Sequence, residues 1–105
     1  MATTRDRSRR LGLALPLEVW GEEDDGSAFH ESARTLNVSG GGLCFETARR
    51  LEFGARLVLD IRLSPGLRAR FGGRQRYRLR AVVCRLENFE GEGRYRVGVR
   101  FLGEA

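Results

Sequence analysis

The chain has 105 residues, enough for one compact domain with little room for a second. Its 19 basic residues are all arginine and outnumber 14 acidic ones, giving a net charge of +5 that favours an anionic partner; the absence of lysine excludes a P-loop, which needs a Lys on the phosphates. No apolar run approaches the roughly 20 residues of a spanning helix, no apolar h-region follows the N-terminal arginines, and two cysteines make no secreted disulfide scaffold, so the expectation is a cytoplasmic protein without membrane insertion and with Cys44 and Cys84 reduced and buried.

Residues 1–12 carry Arg5, Arg7, Arg9 and Arg10 and read as a flexible arm without a core of its own. Residues 13–105 read as short alternating strands between turn signals. The first strand spans Leu13 to Trp20, with Leu15, Leu17 and Val19 on one face and Glu18 on the other. Pro16 marks an edge or a strand start. Glu22 to Gly26 is an acidic hairpin tip, and a second strand fits Phe29 to Leu36. After the turn Asn37 to Gly42 comes a short strand with Leu43 and Phe45 on one face, and Phe53-Gly54 marks another turn.

Leu57, Leu59, Ile61 and Leu63 alternate with Asp60 and Arg62, the clearest period-2 segment. Ser64-Pro65-Gly66 ends that strand, and residues 67–74 read as an exposed Gly- and Arg-rich loop. A long strand sets Tyr77, Leu79, Ala81 and Val83 opposite Arg78 and Arg80. A turn over Asn88 to Gly93 leads to the last strand, with Tyr95, Val97, Val99 and Phe101 on one face and Arg96, Gly98 and Arg100 on the other. The four strand arginines, Arg78, Arg80, Arg96 and Arg100, then form a solvated outer face. Six strands with no amphipathic helix predict an all-β fold, a small antiparallel barrel whose closure removes sheet edges.

Two segments stand outside this core logic. One is Arg5-Asp6-Arg7-Ser8-Arg9-Arg10; the other is Asn37-Val38-Ser39-Gly40-Gly41-Gly42. Three consecutive glycines cost backbone entropy, which positive φ or close approach of a ligand justifies. Asn37 and Ser39 add hydrogen-bonding groups at the same bend, although an ordinary capped turn uses the same residues. No catalytic constellation accompanies them, so no enzyme activity is expected. His30 is the only histidine, and with Cys44 and Cys84 it gives no metal-site spacing. Ser39 lacks the GxSxG elbow, the acidic turn lacks the EF-hand pattern, and Trp20 reads as a core or rim residue.

Taken together, the two segments resemble the PilZ family of cyclic di-GMP receptors. Arg5-Asp6-Arg7-Ser8-Arg9 matches its RxxxR arm motif, and Asn37, Ser39 and Gly42 match [D/N]xSxxG. Tyr95 to Phe101 is similar to the family's closing strand. In the family the second arginine stands directly before an apolar residue, a place held here by Arg10 before Leu11. Four residues before Arg10 stands Asp6, so the gripping pair stays open: Arg5 with Arg9, or Arg10 with Arg5 or Arg7, with Arg5, Arg9 and Arg10 as the candidates. The resemblance implies a six-stranded PilZ-type barrel (13–105) and an arm (1–12) that orders on cyclic di-GMP. Arg5, Arg9, Arg10, Asn37, Ser39, Gly40, Gly41 and Gly42 are its implied ligand-binding residues, with no further cofactor. It also implies a single-domain adaptor whose output is a separate protein partner. Two alternatives compete: a degenerate PilZ interaction module without ligand, and a basic barrel for RNA or single-stranded DNA. The second is disfavoured because Tyr77, Tyr95 and Phe101 share the inward pattern instead of forming an exposed stacking ladder.

Overall fold

The computed structural model describes residues 12–23, 25–69, 72–89 and 93–105. Its elements are β1 (Pro16–Glu22), β2 (Ala28–Val38), β3 (Gly42–Thr47), β4 (Arg56–Arg62), α1 (Pro65–Arg68), β5 (Arg76–Phe89) and β6 (Arg94–Glu104). The strands close into a barrel in the order β1-β2-β3-β6-β5-β4, every pair antiparallel. This is the expected six-stranded antiparallel barrel.

Alternation explains the core. Leu17, Val19, Leu57, Leu59, Ile61, Leu79, Ala81, Val83, Val97 and Val99 all point inward and are buried. Phe45 fills the centre at 1% exposure, and Tyr77, Tyr95 and Phe101 are half-buried against the same cluster. Two buried hydroxyls are satisfied: Thr35 donates to the Leu13 carbonyl and accepts from the Leu15 N–H, and Thr47 donates to the Glu31 carboxylate. On the outer face, Asp60 is buried and takes two hydrogen bonds from Arg76, at 2.7 and 3.3 Å.

Three bulges interrupt the alternation. Thr35 and Asn37 are the partners of Phe45 and Cys44, which leaves Leu36 as an extra residue. Val83 and Arg85 oppose Val99 and Gly98, which leaves Cys84 extra. Arg80 and Ala81 oppose Gly103 and Phe101, which leaves Leu102 extra. An extra residue reverses the inside-outside order of everything after it.

Three expectations need correction. The segment after Pro65 is not wholly an exposed loop: Pro65–Arg68 forms one helical turn, and Leu67 packs on the core. Pro-Gly read as a terminator, but proline with φ preset and no N–H to satisfy suits a helix's first position. Cys84 is exposed while Cys44 is buried, because the bulge expels Cys84 from the inward series. Arg96 is half-buried and faces the carboxylates of Glu46 and Glu87, whereas Arg78, Arg80 and Arg100 are exposed as expected. Trp20 is a half-buried rim residue, stacked on His30 at 4.9 Å with the Arg78 guanidinium 5.0 Å from its ring centre.

Candidate functional site

The bulge at Leu36 decides where Asn37 points. Thr35 faces the core, so strict alternation would turn Asn37 inward too. The extra residue places Asn37 opposite Cys44 on the outer face and returns Val38 to the inside opposite Leu43. The polar member of the motif is thereby set at the surface.

Ser39 closes the turn that follows. Its N–H donates to the Gly42 carbonyl at 2.8 Å, and its hydroxyl donates to the same oxygen at 3.3 Å. The hydroxyl also accepts from the Gly41 N–H at 3.2 Å. The Phe101 N–H donates to the Gly41 carbonyl at 2.8 Å, so the turn is tied to β6 as well as to its own strands.

The glycines have two different reasons. Positive φ occurs at Gly26, Gly54, Gly72, Gly73, Gly93 and Gly103 among the described residues, so the Gly40–Gly42 run does not serve a left-handed backbone. Gly42 is required by close approach: a Cβ there would sit 2.1 Å from the Val99 carbonyl oxygen. Gly41 faces open space, with nothing within 4 Å of a Cβ position. One glycine lets β6 approach and its neighbour leaves room above the turn.

Arg5, Arg9 and Arg10 lie outside the described residues. The point where the chain enters the barrel is described. Leu13 and Leu15 are pinned to Thr35 by three hydrogen bonds: the two of the Thr35 hydroxyl, and one from the Thr35 N–H to the Leu15 carbonyl at 2.9 Å. Leu13 and Leu15 share a cavity of about 910 Å³ at this end of the barrel with Ser39 and Gly40, and Leu67 and Phe101 add to its apolar wall. Leu13 and Leu15, where the described chain enters the barrel, thus stand beside the Ser39–Gly40 part of the turn.

The outer face beside the turn holds groups that alternation alone did not single out. Successive registers give one cross-barrel row, Asn37, Cys44, Gly98 and Arg85, running over β2, β3, β6 and β5. A second row runs Gly42, Arg100, Val82 and Arg56. Arg85 and Arg100 are exposed, and no carboxylate lies within 4 Å of either among the described residues. Gly98, alone between Val97 and Val99, was the available sign of a close approach in a strand. Arg85 had no such sign, because its orientation depends on the bulge.

The sequence profile of the PilZ domain matches residues 4–104. Comparison with curated proteins finds no match. Among solved structures, the chain is similar to the Bacillus subtilis inhibitor of motility MotI/DgrA, with TM-score 0.68 and 22% identity over 94% of this chain. It spans only 43% of that protein's length. The PilZ domain of CeSA from a cellulose-synthesizing bacterium matches with TM-score 0.58 and 21% identity, over 93% of this chain and 84% of that one. The PilZ domain of YcgR from Escherichia coli, solved with c-di-GMP, matches with TM-score 0.60 and 19% identity, over 91% and 76%. At such identities the structural likeness speaks for the fold.

Proposed function

Because this chain belongs to the PilZ domain family, we propose that it binds cyclic di-GMP and works as an adaptor. The observation that carries this reading is the outward Asn37 and the Ser39-closed glycine turn, standing where the N-terminal segment leaves the barrel. Residues 1–12 act as the ligand-binding arm and 13–105 as the barrel. Arg5, Arg9 and Arg10 supply the cations; Asn37 and Ser39 offer polar side chains; Gly40, Gly41 and Gly42 give backbone access.

Cyclic di-GMP presents two phosphates and two guanines. Arginine forks match both, and a bidentate contact to guanine O6 and N7 is worth about 1–3 kcal/mol of discrimination in DNA complexes. Stacking of a guanidinium on a base adds about 0.5–2 kcal/mol. Several such contacts offset the entropy lost when residues 1–12 order against the barrel. That ordering reshapes the rim beside Leu13 and Ser39, and the altered rim is read by another protein. The domain is a receptor and has no catalytic step. No helix among the described residues is long and apolar enough to cross a membrane, and the adaptor is proposed to act in the cytoplasm.

A nucleic-acid polymer fits less well. Tyr77, Tyr95 and Phe101 pack against the core, and Trp20 is covered by His30 and Arg78. No exposed ladder of aromatics remains on those strands for bases to stack on.

Isothermal titration with cyclic di-GMP, against GTP and cyclic di-AMP, tests the reading. Saturable heat for cyclic di-GMP alone is expected, and substitution of Arg9, Arg10 or Ser39 weakens it. No heat at high micromolar ligand sinks the proposal, and unchanged affinity in all three variants refutes the site.

A further inference from the structure

We propose that the outer face of β4 and β5 is a docking surface for a protein partner that presents carboxylates around an apolar side chain. It rests on the adaptor reading above and names the partner's chemistry. In the closed order β1-β2-β3-β6-β5-β4, strand β4 lies opposite β3. A partner seated on this face therefore leaves the Asn37–Gly42 turn uncovered.

The strand registers set the pattern of the face. Arg56 pairs with Val82 and Val58 pairs with Arg80, so two arginines and two valines form a checkerboard. Buried Leu57, Leu59, Ala81 and Val83 alternate with them along the strands, so all four side chains point outward. The valines are half-buried and the arginines exposed. Trp20 of β1 lies beside Val58 and carries the Arg78 guanidinium 5.0 Å from its ring centre. The turn before β4 sits against β5, where the Gly54 N–H donates to the Val83 carbonyl at 2.8 Å. That turn presents Phe53, an aromatic side chain 66% exposed.

The fold does not use the charges of this checkerboard. Arg49, Arg74, Arg76, Arg94 and Arg96 each face a carboxylate of the chain, whereas none lies within 4 Å of Arg56 or Arg80 among the described residues. The acidic groups of the next row, Asp60 and Glu18, are already held, one by Arg76 and the other by Ser32 and His30. Arginine forks take carboxylates in bidentate pairs, and arginines with aromatics are enriched where proteins meet. Nucleic-acid bases need a ladder of exposed aromatics to stack on, and this checkerboard is aliphatic. A bilayer needs apolar groups that project, and Val58 and Val82 lie half-buried in the sheet surface. An acidic protein segment with an apolar anchor fits both parts of the pattern.

The test is fluorescence anisotropy of a dye-labelled peptide, rich in Glu around a central Phe-Leu pair, titrated with the full chain. A matched peptide with Gln at every Glu is the reference. The Glu peptide is expected to bind about tenfold more tightly than the Gln peptide, and the double variant Arg56→Ala, Arg80→Ala to remove that advantage. Phe53→Ala weakens both peptides alike. Arg94→Ala, whose side chain faces Glu46 on the other side of the barrel, leaves affinity unchanged. Melting temperatures show that the double variant is folded, and its affinity for cyclic di-GMP stays at the wild-type value. Absent or equal binding of the two peptides to wild type overturns the proposal, as does a double variant that keeps the advantage. Tighter binding of a single-stranded oligonucleotide, or of phosphatidylglycerol vesicles, through the same two arginines also overturns it. So does loss of cyclic di-GMP from the double variant, because the face is then not separate from the nucleotide site. A wild type that binds the Glu peptide but not cyclic di-GMP keeps the docking surface and removes the nucleotide reading.

Discussion

Asn37 and Arg85 stand at opposite ends of one cross-barrel row, and each faces outward because an extra residue precedes it. Leu36 is the extra residue in β2 and Cys84 in β5. Were Leu36 and Cys84 paired in regular alternation instead, both side chains would follow Thr35 and Val83 into the core. Bulges that re-aim side chains are expected next to functional sites, and here two of them serve the same face. A barrel built on unbroken alternation would have no polar group at either end of this row.

The cysteines give a direct check on the second bulge. Cys84 is exposed and Cys44 is 4% exposed. A folded sample treated with a maleimide or a disulfide reagent should label one thiol quickly and the other only on unfolding. Cys84→Ser should abolish the fast phase, and Cys44→Ser should leave it. Two fast thiols in wild type would contradict the register described for β5.

Much of the barrel was legible before the structure. Leu57 to Leu63, Tyr77 to Val83 and Tyr95 to Phe101 alternate without interruption, and each became a wall of the core. The bulges were not legible, because Leu36, Cys84 and Leu102 are unremarkable residue types at positions where pairing, not propensity, inserts an extra residue. For the same reason Arg85 passed unnoticed. The turn motif was visible from residue types alone, but the reason for Gly42 was not: the residue it accommodates, Val99, lies more than fifty positions later. Only the fold brings β6 against it.

That contact separates two neighbouring glycines. Gly42→Ala places a methyl where the Val99 carbonyl oxygen lies, so strand β3 or β6 must shift. A cost of about 1–3 kcal/mol is expected, as for other overpacked sites. Gly41→Ala meets nothing within 4 Å and should change stability by no more than about 0.5 kcal/mol. Urea unfolding of the two variants reads the difference, and equal destabilisation would rule out the close approach as the reason for Gly42.

The two arginine pairs at the start of β5 should differ in the same assay. Arg76 holds the carboxylate of Asp60, whose side chain is 6% exposed, although Arg76 itself is 58% exposed. Arg74 and Glu104 are exposed at 50% and 55%. Arg76→Ala leaves a buried carboxylate without its main donor, a loss of about 1–3 kcal/mol after allowing for solvent on the arginine side. Arg74→Ala should cost less than about 1 kcal/mol. The reverse order would mean that Asp60 draws its stability from elsewhere.

Glu18 links stability to pH. Hydrogen bonds from the Ser32 hydroxyl, and then from His30, hold its carboxyl below the ordinary value of 4.5. Because the folded value is depressed, the stabilisation is present in full above the unfolded value and is lost as pH falls through the folded one. Wild type should therefore lose stability more steeply than Glu18→Gln when pH is lowered from 5.5 to 3 (roughly the carboxylate range). Parallel profiles from urea unfolding would show that the carboxylate makes no such contribution.

Deleting Leu36 tests whether the extra residue itself is needed. With Leu36 gone, Asn37 follows Thr35 directly, so Thr35 stays opposite Phe45, Asn37 opposite Cys44 and Val38 opposite Leu43. Alternation then keeps Thr35 inside, Asn37 outside and Val38 inside, and Thr35 keeps its bonds to Leu13 and Leu15. The deletion variant should therefore retain nucleotide binding. Leu36→Ala is the control, because that side chain is 38% exposed and its truncation leaves the bulge intact. It should retain binding and nearly full stability. Loss of binding in a folded deletion variant, with Leu36→Ala binding normally, would show that the bulge shapes the turn beyond aiming Asn37.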